Sequence, residues 1–446
     1  MRISIENSEM FSTIFESITN SKVYHPITGL TNDSRQVKKG DLYIAIIGEN
    51  NDGHNFLNEV YEKGGSAALV NKLNNNIDLQ QIKVIDTIDA LKKIAIKWRC
   101  NYDIPIIAIT GSNGKTSTKD LLSHILSNKY EVHATKGNFN TAIGLCFTIF
   151  GLHSNHDLAI FELGASMPGE IKALCDIALP THGLITNIAQ AHLEGFGSIE
   201  NIAKEKGDLF RSLDQGTSFI NMTDNYISKM SINGRKISFG LTPDCDFPAD
   251  IYQEKDGTLT LILDTHEIKT NSDNFSFLKN CIAASAIAIT LGIKANSLNN
   301  RLQSFLPTKG RCFVSKKNNI TIIDDTYNAN LVSSLAALEY LNAFSNEGRK
   351  IFVFGDMLEL GEASEEQHTE IGVKCSELGI DIIYTIGDQT THTNSNIKNG
   401  IIHEHFQSKD FLINKLKKII KKGDIILFKG SRSMKMEKII KGVFKV

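Results

Sequence analysis

The stretch Ile104-Pro-Ile-Ile-Ala-Ile-Thr-Gly-Ser-Asn-Gly-Lys-Thr-Ser-Thr-Lys-Asp120 decides the fold. Residues 104 to 109 are an uninterrupted apolar run rich in β-branched side chains, the pattern of a strand buried on both faces. Thr110 to Gly114 turn the chain, and from Thr116 the pattern is helical, with Leu121, Leu122, Ile125 and Leu126 on one side. A strand, a Gly-rich turn and a helix opening on Gly114-Lys115-Thr116 are the parts of a phosphate cradle. The backbone N–H groups of Gly111, Ser112, Asn113 and Gly114 and the helix N-terminus, with Ser117 in its first turn, would hold the anion. Lys115 would reach terminal phosphates and the Thr116 hydroxyl would ligate Mg²⁺. The spacing departs from strict G-x-x-x-x-G-K-[ST], because Ile109 stands where the first Gly belongs. The alternative is an ordinary strand-to-helix turn with a surface Lys. Lys, Thr and two glycines in the required context favour a nucleoside triphosphate site.

Working outward, 446 residues exceed one ordinary core and suggest two to four domains. A net charge of −2 offers no general attraction to nucleic acid or to an anionic membrane. The lysines at Lys415, Lys417, Lys418, Lys421 and Lys422 read as the solvated face of an amphipathic helix. Seven cysteines, odd in number and in no C-x-x-C pair, read as free thiols of a reducing cytoplasm. The N-terminus has no signal-peptide shape, and no apolar stretch is long enough for a bilayer. The expectation is a cytoplasmic protein without nucleic-acid partners or membrane insertion.

Residues 1 to 85 read as a small α/β domain of short strands and turns, and residues 87 to 100 as a helix leading into the phosphate-loop strand. The central part, 86 to 308, alternates strands and helices as a mostly parallel sheet does. Leu158-Ala-Ile-Phe-Glu162 places a carboxylate at a strand end, and a further strand ending near Asn187 precedes His192. Ligands of open α/β sheets sit beyond the carboxyl ends of the strands, so Glu162 and His192 are either structural or ligands of Mg²⁺ beside Thr116. The loop holding Asn138, Asn140 and Thr141 is either a turn or a set of contacts to a polar substrate. From 309 to 446, strands at Ile320–Asp325, Lys350–Gly355, 381–387 and 424–429 alternate with helices, a doubly wound domain of Rossmann type without G-x-G-x-x-G.

Lys206 is out of pattern. Ile199 to Phe210 reads as a helix with Ile199, Ile202, Ala203, Leu209 and Phe210 in one stripe, and Lys206 sits inside that stripe. It either snorkels to water with its stem packed or faces a reaction centre as a charged or covalently modified group.

Together these residues resemble the Mur ligases of bacterial cell-wall synthesis along essentially the whole chain. The motifs are Thr110–Ser117, Gly137-Asn-Phe-Asn-Thr-Ala-Ile-Gly144, Glu162-Leu-Gly-Ala-Ser-Met-Pro-Gly-Glu170 and His192-Leu-Glu-Gly-Phe-Gly197. Asp324-Asp-Thr-Tyr-Asn-Ala-Asn330, Gly355-Asp-Met-Leu-Glu-Leu-Gly361 and Lys429-Gly-Ser-Arg432 follow in family order. The last stretches look like the member that joins D-alanyl-D-alanine to UDP-N-acetylmuramoyl-tripeptide. The resemblance implies three domains: 1–85 for the uridine-nucleotide substrate, 86–308 for ATP, and 309–446 a Rossmann-like domain closing over ATP. It implies ATP and Mg²⁺, a monomer, and activation of the tripeptide carboxylate as an acyl phosphate that the dipeptide amine then attacks.

Carried over by position, Lys115, Lys206, His192 and Arg311 act at the reacting atoms, and Thr116, Glu162, His192 and Lys206 hold metal, Lys206 as a carbamate. Asn280 contacts adenine, while Arg311, Asp325 and Asn328 contact ATP. Ser34 and Arg35 fall in the uridine-nucleotide motif, and Asn138, Asn140 and Thr141 near the muramoyl substrate. Ser166-Met167 stands where the family shows Asn-His, Ser276-Phe277 replaces the His-Asn expected upstream of Asn280, and Leu331 replaces a Pro. The competing readings are a sister Mur ligase or folylpolyglutamate synthase within the fold, and a P-loop switch or motor NTPase outside it.

Overall fold

A computed structural model describes residues 1–255, 257–344, 348–398 and 400–445. Its strands form three sheets in sequence order. The first contains Arg2–Ser4, Gly29–Thr31, Asp41–Ile44, Ala67–Val70 and Gln80–Lys83; the first pair is antiparallel and the rest parallel. A helix at Ser8–Thr19, which the reading of strands and turns had missed, packs beside it. Asn7 caps it by accepting from the Met10 N–H, and Phe11 and Phe15, one turn apart, are fully buried.

The helix Thr87–Arg99 joins this sheet to the next. Asp86 accepts from the N–H groups of Ile88 and Asp89, which stops the preceding strand and starts the helix. Leu91, Ile94 and Trp98 lie in one apolar cluster with Phe11 and Leu69 on one side and Phe150 and Phe161 on the other. Trp98 meets Phe11 and Phe150 edge-on at 6.1 and 6.3 Å between ring centroids. Such pairs add about 0.5–1.5 kcal/mol each beyond burial.

The central sheet has nine strands in the order His266–Lys269, Leu259–Leu263, Phe247–Gln253, Arg235–Gly240, Thr217–Asn221, His182–Ile185, Ile106–Thr110, Leu158–Glu162 and Val132–Ala134. It is parallel except for the antiparallel meander formed by its first three. Ile106–Thr110 is fully buried between Leu158–Glu162 and His182–Ile185, as its apolar run requires. The third sheet runs Phe313–Lys317, Ile320–Asp325, Ile425–Lys429, Lys350–Gly355, Ile382–Ile386 and Ile402–Phe406. Its Rossmann-type parallel core carries one antiparallel edge strand, Phe313–Lys317. No helix among the described residues is long and apolar enough to cross a membrane.

Candidate active site

The carboxyl edge of the central sheet opens on the phosphate loop. Gly111 and Gly114 have φ of 142° and 79°, where side chains are strained. A Cβ on Gly111 would lie 1.9 Å from Thr186 Oγ1, so the close approach of two strand ends requires glycine there. The loop is tied down by its neighbour: Ser112 N–H donates to the Asn187 carbonyl at 2.9 Å, and Asn113 N–H to Asn187 Oδ1 at 3.1 Å. Thr186 Oγ1 donates to the Asn113 carbonyl at 2.6 Å. The helix Lys115–Leu126 then starts from Gly114 without a side-chain cap, leaving its N-terminus open to an anion.

Lys115 folds back and donates to the Gly111 and Ser112 carbonyls at 2.6 and 3.3 Å. Desolvation lowers its pKa, the Glu162 carboxylate raises it, and the Arg311 cation lowers it further. Glu162, 2% exposed, ends the strand Leu158–Glu162. Its Oε1 accepts from Asn140 Nδ2 at 2.9 Å, while Oε2 is buried with no hydrogen-bond partner. A buried carboxylate oxygen left bare is costly unless a cation or donor meets it.

Lys206 lies on the helix Ile199–Arg211 and is 2% exposed, so it does not snorkel to water. Burial and then the Lys115 charge pull its pKa down to about 7, opposed by Glu205 and Glu170. The ammonium stands 5.9 Å from the centroid of the Phe196 ring. Adjacent Glu205, itself buried, accepts from the Gly169 and Ile171 N–H groups at 2.6 and 2.7 Å, which fixes this helix to the start of Glu170–Ala178.

The third sheet supplies the opposite wall. Arg311 donates to Thr116 Oγ1 at 3.1 Å and stacks over Tyr327 at 3.8 Å. Asn330 Nδ2 donates to Asn113 Oδ1 at 2.8 Å, and Gln367 Nε2 to Gln190 Oε1 at 2.9 Å. Asp325 and Lys429 are register partners on adjacent parallel strands and form a buried ion pair. Lys429 also donates to the Asn328 carbonyl at 3.0 Å, leaving the Asn328 side chain exposed. The His192 ring pairs through Nδ1 with Glu359. Asn280, on Phe275–Thr290, packs on the cradle: a Cβ on Gly114 would lie 2.7 Å from its Oδ1. Beside Asn280 is a cavity of about 130 Å³ lined also by Asn187, Asn221, Phe239 and Lys279.

Not every sequence-singled residue joins this cluster. Ser34 is buried at the start of a short 3₁₀ turn in the first unit, and exposed Arg35 pairs with Asp33 there. Asn138 and Thr141 are exposed on the loop whose Asn140 reaches Glu162. Ser117 lies half-buried in the first turn of the phosphate-loop helix. Sequence reasoning missed Glu359, Asn330, Gln367 and Lys429 as contacts, although Glu359, Asn330 and Lys429 stood inside quoted motifs. Thr116 and Glu162 present oxygen donors of the kind a hard divalent cation takes. Among the described residues no three His, Cys, Asp or Glu side chains gather as a ready-made metal cluster.

Models of three domains match this chain: Mur ligase family, catalytic domain, at residues 26–99; Mur ligase middle domain at 109–288; and Mur ligase, glutamate ligase domain, at 310–432. The UDP-N-acetylmuramoyl-tripeptide–D-alanyl-D-alanine ligase of Bacillus subtilis is 32% identical, over 94% of this chain and 93% of that protein. The protein of the same name from Escherichia coli is 34% identical over 94% of each. A crystal structure of MurF from Acinetobacter baumannii superposes with a TM-score of 0.88 at 29% identity, covering 98% of both chains. MurF ligase from Thermotoga maritima in complex with ADP gives 0.83 at 28% identity, over 93% of this chain and 97% of that one. With similarity of this extent running through all three sheets, the chain belongs to the Mur ligase family, in the branch of the UDP-N-acetylmuramoyl-tripeptide–D-alanyl-D-alanine ligases.

Proposed function

We propose that this chain joins D-alanyl-D-alanine to UDP-N-acetylmuramoyl-tripeptide at the expense of ATP, giving UDP-N-acetylmuramoyl-pentapeptide, ADP and phosphate. The observation that carries this is identity of 32% and 34% to two ligases of that name along nearly the whole chain. A carboxylate does not acylate an amine until one of its oxygens becomes part of a good leaving group. The tripeptide's terminal carboxylate oxygen attacks the γ-phosphorus, the bond to the β-phosphate oxygen breaks, and ADP leaves. The dipeptide's neutral amine then attacks the acyl carbon, phosphate departs with the former carboxylate oxygen, and the amine sheds a proton. Such a site works mostly by positioning and charge neutralisation.

The chain's own groups suit those demands. The phosphate-loop N–H groups from Gly111 to Ser117 and Lys115 take the ATP phosphates, and Arg311 adds a second cation from the facing wall. Asp325, tied to Lys429, and Asn328 border the nucleotide, and Asn280 with its adjoining cavity takes the adenine; nucleotide use is supported by the ADP complex of the Thermotoga maritima ligase. Mg²⁺ would be held by Thr116, Glu162, His192 and Lys206, and it would supply Lewis-acid neutralisation of phosphate charge. The bare Glu162 Oε2 supports that assignment. Lys206 suits it only as a carbamate, formed when its neutral amine adds to CO₂ and loses a proton. A pKa of about 7 makes that neutral amine abundant at neutral pH. Ser34 and Arg35 contact the uridine nucleotide, and Asn138, Asn140 and Thr141 the muramoyl end. The units 1–85, 86–308 and 309–446 act as a monomer in the cytoplasm, a compartment that keeps free thiols reduced.

The test is product analysis by mass spectrometry with Mg-ATP and the two substrates, supplied singly and together. Phosphate release that requires both, with a pentapeptide product, is the expected result. Equal release without either would instead mark an unrelated NTPase.

A further inference from the structure

Glu359 and His192 meet between the third sheet and the central sheet, and both backbones are unusual there. Glu359 has φ of 62° and His192 of 54°, left-handed values that are uncommon for a residue such as Glu and more readily taken by His. The two loops are also joined through the backbone, with Glu194 N–H donating to the Glu359 carbonyl at 3.2 Å. The Glu359 side chain is 57% exposed and that of His192 30%, so their pairing contributes little to stability. What it does determine is the orientation of the ring. A carboxylate only accepts, so Nδ1 carries a hydrogen, and Nε2 is the ring nitrogen left for any other partner. His192 lies three residues beyond Ala189, whose N–H is held by the phosphate-loop Ser112 Oγ at 2.9 Å. Three Cα–Cα steps span at most about 11 Å, which bounds how far the His192 backbone lies from that anchored residue.

We propose that Glu359 is a positioning residue for the ligation: it grips His192 through Nδ1 so that Nε2 is the nitrogen offered to the divalent cation. Because Glu359 lies in the loop that follows the third-sheet strand Lys350–Gly355, the grip exists only while that unit is docked, so docking and completion of the metal site become one event. The contacts Asn330–Asn113 and Gln367–Gln190 belong to the same docked arrangement. Carboxylates behind ligating histidines generally fix tautomer and ring direction, and their loss costs about 10–100-fold in metal affinity or activity.

The inference rests on the ligase reading and on His192 as a metal ligand, and its test separates the two. Mn²⁺ is titrated by electron paramagnetic resonance into the full chain bound to a methylene-bridged ATP analogue, without muramoyl substrate, for wild type, Glu359→Ala and Glu359→Gln. Glu359→Ala is expected to weaken Mn²⁺ binding and lower kcat by about 10–100-fold. The KM for D-alanyl-D-alanine and the melting temperature should stay near the wild-type values. Glu359→Gln, whose amide oxygen still accepts from Nδ1, should remain within about threefold of wild type. Wild-type Mn²⁺ affinity in Glu359→Ala, or an equally deep loss in both variants, would overturn the proposal. Absence of pentapeptide from the wild type, with the Mn²⁺ affinities still separated as expected, would remove the ligase reading alone.

Discussion

Arg311 donates to the Thr116 hydroxyl at 3.1 Å although 195 residues separate them, and its guanidinium carbon sits over the Tyr327 ring, 3.8 Å from the centroid. The ring contact holds the cation in place, and the hydrogen bond fixes its reach into the phosphate loop. A lysine keeps the charge and loses both constraints. Arg311→Lys is therefore expected to lower kcat by about 10²-fold, the scale seen when one preorganised donor is lost. Its melting temperature should move little. Steady-state phosphate release together with thermal melts checks this.

Lys206 makes a pH prediction whose sign is fixed by the direction of its shift. Its pKa is about 7 in the folded chain against 10.5 when exposed. Between those values the unfolded chain holds a proton that the native chain has shed, so unfolding free energy rises with pH. The contribution is complete above the unfolded pKa and is lost as pH falls through about 7. In CO₂-free buffer, the stability of wild type relative to Lys206→Met should rise between pH 7.5 and 9.5, by up to about 1.4 kcal/mol per pH unit. Denaturant melts at several pH values measure it, and parallel curves would mean an unshifted lysine.

The same neutral amine makes activity depend on CO₂. Stripping dissolved CO₂ should lower ligation several-fold, and bicarbonate should restore it in wild type but not in Lys206→Met. A ¹³C carbamate resonance that appears with labelled bicarbonate and is missing from the variant would identify the modified residue.

Glu162 holds Asn140 with one oxygen and leaves the other bare. Glu162→Gln keeps the shape and the Asn140 contact through its amide oxygen while removing the charge. The Mg²⁺ concentration for half-maximal rate should rise about tenfold or more, on the scale of losing one carboxylate from an oxygen site. A titration of rate against Mg²⁺ at fixed ATP decides it.

Much of this architecture was legible because its signals are local. The run 104–109 became the buried strand Ile106–Thr110, and Lys206's place in the stripe of Ile202 and Leu209 marked it as out of pattern while leaving snorkelling and burial both open, of which the fold takes burial. The helix Ser8–Thr19 was not legible as one, because its Ser and Thr residues carry middling propensity and Phe11, which stacks on Phe15, gains its weight only against Trp98 and Phe150. The meander Phe247–Lys269 was likewise unread. The grip of Glu359 on His192 and of Asn330 on Asn113 joins residues 167 and 217 positions apart, and spacing within a motif carries no information about which distant loop faces it. Lys429 was quoted in its motif, but its pairing with Asp325 depends on strand register in the third sheet.

The most direct test of the account follows one oxygen atom. The tripeptide's terminal carboxylate is labelled with ¹⁸O, the ligation is run with Mg-ATP and D-alanyl-D-alanine, and the released phosphate is analysed by mass spectrometry. Passage through an acyl phosphate predicts one ¹⁸O in each phosphate and a pentapeptide that retains the other at the new amide. Unlabelled phosphate alongside product, or phosphate released with no product, would contradict it.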